Sequence, residues 1–163
     1  MSLEAWVFCD CFEKHRLREP PPAGCRLAVT PDGSLNCGSG DLFVQTAFSK
    51  WLHDRACDHK DGCLTHCSIG NDNEIRALYE LLGQFRGRYS ILRSQVLIGA
   101  DRVESIVAPD QLSALRAEIF ALADTSFRVE TDMVELIQRF GLQMTELVEC
   151  AIFAGKPIAL RKQ

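Results

Sequence analysis

From Glu4 to Cys9 the chain reads Glu-Ala-Trp-Val-Phe-Cys, a short run rich in aromatic and β-branched residues that predicts a half- or fully buried β-strand. If the extended backbone continues through Cys11, the two-residue period places Cys9 and Cys11 on one face and Asp10 on the other. Pro20, Pro21 and Pro22 then impose a loop, and Cys25 to Thr30 reads as a second strand closed by the turn tripeptide Pro31-Asp32-Gly33. Asp41 is placed to cap a helix whose stripe of Val44, Phe48, Trp51 and Leu52 ends near Arg55. Residues 56–67 read as a loop that runs into a second helix. Asn71 and Glu74 have capping-box spacing there, and Ile75, Leu78, Tyr79, Leu82 and Phe85 form one apolar face.

Gly87 lets the chain out into Tyr89 to Ile98, a predicted strand, and residues 99–107 form a connection. A third helix opens at Pro109 or Asp110 with Leu112, Leu115, Ile119 and Leu122 inward. The longest helix begins at Thr131 or Asp132 and carries Met133, Ile137, Phe140, Met144, Leu147 and Ala151. It stops at Gly155-Lys156-Pro157, and Ile158 to Leu160 adds a short terminal strand. The expected fold class is α+β: one domain over residues 1–163, with a small sheet of three to four strands covered by about four helices. The Trp51 and Ile75 helices are expected to pack on the sheet that contains Trp6 to Cys9.

Composition narrows the function classes. A net charge of −4 argues against binding nucleic acid or an anionic membrane, which needs clustered Lys and Arg. The only basic run, Lys14, His15, Arg16 and Arg18, is diluted by Glu13 and Glu19. No export-type opening and no apolar stretch of membrane-spanning length is present, so the expected compartment is the cytosol. In that reducing setting the eight cysteines are expected to be core residues, metal ligands or reactive groups rather than disulfides.

Five of those cysteines and two of the four histidines fall in two short stretches, Cys9-Asp10-Cys11 and Cys57 to Cys67. Zinc takes four nitrogen or sulfur ligands in a tetrahedron, so a site built from two segments needs ligand pairs that converge. Cys9-x-Cys11 and Cys57-x-His59 supply two such pairs and make a candidate Cys3His zinc site joining the first strand to the loop after the first long helix. The spacing is tighter than the two-to-four-residue gaps of common zinc knuckles. Cys63, His66 and Cys67 offer a competing set, and ordinary burial is a third reading, strongest for Cys25 and Cys150.

A catalytic reading uses Cys67 or Cys63 as a thiolate nucleophile near the Asn71 helix start, with His66 or His59 as base. No further triad member, oxyanion motif or redox Cys-x-x-Cys accompanies it, and a non-enzymatic binding or interaction protein is the leading expectation. One concrete version is an immunity-type protein whose acidic surface blocks a basic protein partner. The Met133 to Ala151 stripe also has the spacing of a self-association seam, although such a stripe more often packs inside a monomer and Gly141 weakens it as an independent coiled coil.

The Cys-Asp-Cys-Phe opening, the triple proline, Trp51-Leu52, Cys57-Asp58-His59-Lys60-Asp61-Gly62, Ile69-Gly70-Asn71, and Leu147 to Cys150 followed by Gly155 to Ala159 together resemble a family of bacterial proteins without an assigned activity. The resemblance is scattered over nearly the whole chain, and its most specific pieces are Cys-x-Cys and Cys-x-His-x-x-Gly. It implies a bacterial cytosolic protein and favours treating Cys9, Cys11, Cys57 and His59 as one site.

Overall fold

Alternation decides the first element. In strand β1 (Ser2–Phe8), Leu3, Ala5 and Val7 are buried while Glu4, Trp6 and Phe8 take the opposite face. The computed structural model describes residues 1–85, 87–98, 102–125 and 130–163. It places β1 inside a four-stranded antiparallel sheet, between β4 (Cys63–Asn71) and β6 (Ile158–Lys162), with β5 (Glu104–Val107) beyond β6. Helices α2 (Asp72–Gly83), α3 (Leu112–Thr125) and α4 (Thr131–Ala154) bury their apolar stripes with Leu3, Val7, Ile158 and Leu160 in one main core. This is an α+β fold.

The Trp51 helix, α1 (Leu42–Asp54), belongs elsewhere. Asp41 caps it through a bond from the Phe43 amide (2.8 Å), as its sequence predicts. Phe48 and Trp51 then pack with Cys37 and Ala56 against the hairpin of β2 (Leu27–Val29) and β3 (Leu35–Cys37), in a second, smaller core. Only the Ile75 helix, α2, lies on the main sheet as expected. The β2–β3 turn is tied back to that sheet, because Asp32 accepts from Thr30 Oγ1 (2.5 Å), from Ser34 N and Oγ, and from Arg161 Nη2 (2.6 Å).

Burial of Asp32 opposes its ionisation, but the Thr30 and Ser34 bonds and the Arg161 charge outweigh it and hold the carboxyl below its ordinary value of 3.8. A depressed folded pKa stabilises the fold above the unfolded value and is lost as pH falls through the folded one. Acid titration of wild type and Asp32→Asn should therefore diverge above pH 3.8 and converge below it, in urea midpoints measured across that range.

Three further expectations change. Cys63 to Asn71 is a strand rather than a loop, and Asn71 ends it while capping α2. Its side chain accepts from the Asn73 and Glu74 amides, and Glu74 accepts from the Asn71 amide in return. Asn71→Ala should cost about 1 kcal/mol in a denaturant titration.

Tyr89 to Ile98 is not a strand; Leu92–Val96 forms a π-helical turn closed by Leu97 N to Leu92 O (2.7 Å). Its buried Tyr89, Leu92, Val96 and Leu97 follow helical spacing, and the Glu118 carboxylate of α3 accepts from the Ile91 and Leu92 amides. Of the 99–107 connection, residues 99–101 lie outside the described residues, and Glu104–Val107 is the β5 strand.

Ile137, Phe140, Met144, Leu147 and Ala151 of α4 are at most 2 % exposed. The stripe that has the spacing of a dimer seam is thus spent in the chain's own core. Gly155, at φ 65°, caps the helix before Pro157. No helix among the described residues is long and apolar enough to cross a membrane.

Candidate metal centre

The two ligand-bearing segments are shaped by turns. Cys9 follows β1 directly, and its amide donates to Gly62 O (2.8 Å), pinning the strand end to the second segment. The backbone does not stay extended to Cys11, as the alternation argument requires. It turns, with Lys14 N donating to Asp10 O and Arg16 N to Cys11 O (2.7 Å). This turn supplies what strand geometry does not: two sulfurs two residues apart that converge on one point.

The second segment starts where α1 unwinds, with the Arg55 and Ala56 amides both donating to Trp51 O. It closes in a tight turn with the Gly62 amide on His59 O (3.0 Å). Asp61 and Gly62 are both left-handed, at φ 55° and 65°. His53 Nδ1 lies 2.8 Å from Asp61 Oδ1, which braces the non-glycine residue in that conformation. A Cβ on Gly62 would make only ordinary contacts, with Leu52 at 3.4 Å and the Cys9 sulfur at 4.0 Å, so the left-handed φ is what accounts for the glycine of Cys-x-His-x-x-Gly.

These turns bring Cys9, Cys11, Cys57 and His59 together, with all four ligand atoms within 4.8 Å of one another. Cys9 Sγ is 3.8 Å from Cys57 Sγ, Cys57 Sγ is 3.8 Å from His59 Nδ1, and Cys11 Sγ is 3.4 Å from His59 Nδ1. A tetrahedron with metal–sulfur bonds of 2.3 Å and metal–nitrogen bonds near 2.05 Å has sulfur–sulfur edges of about 3.8 Å and sulfur–nitrogen edges of about 3.5 Å. The Cys9–Cys57 separation equals such a sulfur–sulfur edge, and the two sulfur–nitrogen separations lie within about 0.3 Å of the sulfur–nitrogen edge. The Cys9–Cys57 separation is far too long for a disulfide, whose sulfurs sit about 2.05 Å apart. The four residues could hold a metal ion. The three cysteines are buried, and burial pushes the Cys9 thiol up to about 12, so an ion is what would make thiolates affordable there.

The surrounding charges are residues whose place in the site the sequence did not disclose. Asp10, between the two cysteines, pairs with Lys14 (2.5 Å) and with Arg16, which hold its carboxyl below the usual range. Asp58, between Cys57 and His59, pairs with Arg18 (3.2 Å). The basic run therefore organises both turns, and the signal in the sequence is an aspartate at the middle position of each ligand pair with cations four to eight residues after the first. Three thiolates and a neutral imidazole around a divalent ion would leave one negative charge, and the nearby Arg16 charge favours the thiolate of Cys11.

The competing set does not assemble. His66 and Cys67 are neighbours on β4 and so take opposite faces. His66 stacks on Trp6 with its Nε2 2.9 Å from Glu4 Oε2, whereas Cys67 packs against the main core. Cys67 lies within the strand and not at the helix start. Burial, then the nearby Glu146 and Glu4, push its thiol up to about 11, the reverse of what a nucleophile requires. Cys63 donates to Thr65 O (3.1 Å), and burial raises its pKa too. Cys25, beside Cys37 near the small core, is pushed up to about 11, first by burial.

No protein-family model, curated protein or solved structure matches the chain.

Proposed function

We propose that Cys9, Cys11, Cys57 and His59 bind a structural zinc ion, and that the chain is a cytosolic, non-enzymatic binding protein whose two cores this ion joins. The observation that carries the reading is the convergence of four protein ligand atoms, all within 4.8 Å of one another. Four protein ligands fill a zinc coordination sphere, whereas catalytic zinc keeps one position for water or substrate. Three sulfurs and one imidazole in a tetrahedron also suit zinc over the oxygen-seeking cations. Position adds support. The three cysteines form a cluster between the cores, with Leu17 packed against both this cluster and the small core and Leu64 against both this cluster and the main core.

The partner of such a protein is proposed to be another protein, the acidic balance of the chain favouring a basic one. Elemental analysis tests the metal. Protein purified without an affinity tag or chelator should carry close to one zinc per chain, and Cys57→Ser should lose it. A wild-type preparation free of transition metal would overturn the proposal.

A further inference from the structure

Gly141 stands in the middle of α4, where a glycine weakens a helix, and it is not one of the left-handed glycines. A Cβ there would have no packing neighbour within 4 Å, so nothing inside the chain calls for its absence. What it leaves is a recess in a groove of about 350 Å³ between α3 and α4. Phe120 and Leu142, which also line the groove, are 58 % and 74 % exposed. No charged residue lines it among the described residues. Two large apolar side chains held in water around an unfilled apolar groove mark a contact surface.

The charges at the two ends say what fits it. Arg116, toward the start of α3, pairs with Glu149 of α4 (2.6 Å), and Asp124, at the other end of α3, pairs with Arg88 (2.7 Å). A basic partner would find both end carboxylates already engaged. A second copy related by a two-fold axis meets no such mismatch. The axis exchanges the ends, so the Arg116–Glu149 pair of one chain lies against the Arg88–Asp124 pair of the other, and each cation can face a carboxylate without net repulsion. Shape agrees with charge. A two-fold interface must be complementary to itself, and this face carries both a projection, Phe120, and a recess, at Gly141.

We infer that the α3–α4 groove is the interface of a two-fold homodimer, in which Phe120 of each chain enters the groove beside the partner's Gly141. The contact uses the side of α4 opposite Phe140 and Met144, so it leaves the buried stripe in the chain's own core. It involves none of the metal ligands.

Sedimentation velocity on the full, untreated chain, from about 1 μM to about 1 mM, tests the inference. The mass should rise from monomer to dimer over that range. Gly141→Leu fills the recess and Phe120→Ala removes the projection, and each should weaken association at least about tenfold. Neither should lower the Tm at concentrations where the chain is monomeric, and Gly141→Leu should raise it by replacing a helix-weakening residue. Photocrosslinking reads the orientation: a benzophenone-bearing analogue in place of Phe120 should attach to the peptide around the partner's Gly141, as seen by mass spectrometry of mixed light and heavy-isotope chains. A chain that stays monomeric throughout, a dimer indifferent to both substitutions, or a cross-link away from α3 and α4 overturns the inference.

Discussion

Replacing Cys57 by Ser, or stripping the metal with a chelator, is expected to loosen residues 9–62 while the α2–α3–α4 core stays folded. The small core contains four buried side chains, Cys37, Phe48, Trp51 and Ala56, for a segment of about fifty residues, and cores of that size ordinarily need a metal or disulfide staple. No disulfide is formed; all eight cysteines are free. Metal-binding free energy in small zinc-dependent peptides reaches roughly 10 kcal/mol, and removing one thiolate forfeits a large share of it. Hydrogen exchange reads this locally. The amides of Cys9, Arg16 and Arg18, which donate to Gly62, Cys11 and Ala56, should lose protection by about 100-fold or more, equivalent to roughly 3 kcal/mol. Amides of α4 should change little. Equal loss in both regions would mean the segments fold as one unit and the ion is not a local staple.

The second large effect lies in the main core. Phe140 is fully buried in α4 and joins the cluster that holds the helices on β1 and β6. Phe140→Ala removes its apolar surface from the core and leaves a cavity, at a cost of about 3–5 kcal/mol. That is a large fraction of the 5–15 kcal/mol by which domains are typically stable. Leu142, two residues on, is 74 % exposed, and Leu142→Ala should stay within about 0.5 kcal/mol of wild type. Urea titrations followed by helical circular dichroism distinguish the two. A Phe140→Ala midpoint near that of Leu142→Ala would contradict the core assignment.

The helices were legible because their stripes are long and their ends are marked. Asp41, the Asn71–Glu74 box and Gly155-Lys156-Pro157 each place an end where the structure has it. β4 was not legible, for a physical reason. Its pairing with β1 shifts register between Leu3 and Glu4 and again between Val7 and Phe8, leaving Ile69 and Leu64 as extra residues that break the period of two. The π-helical turn was misread because Arg93, Ser94 and Gln95 interrupt its apolar positions, and what stabilises its start, Glu118, lies in another helix. The two cores were invisible for the same kind of reason: the stripe of α1 shows that it packs, not against what.

The four candidate ligands could be named from spacing, but their geometry could not. The argument from an extended Cys9–Cys11 stretch has the wrong backbone, since the sulfurs converge through a turn held by Asp10, Lys14 and Arg16. The ion pairs that shape both turns involve residues that read as a solvated basic run until their partners are seen.

X-ray absorption at the zinc edge, on untagged protein, bears most directly on the proposed centre. A first shell of three sulfurs at about 2.3 Å and one nitrogen at about 2.0–2.1 Å is expected. Cys11→Ser should lower the sulfur count, and His59→Ala should remove the nitrogen. A shell dominated by oxygen, or a spectrum unchanged by both substitutions, would place the zinc elsewhere and return Cys9, Cys11 and Cys57 to the role of ordinary buried thiols.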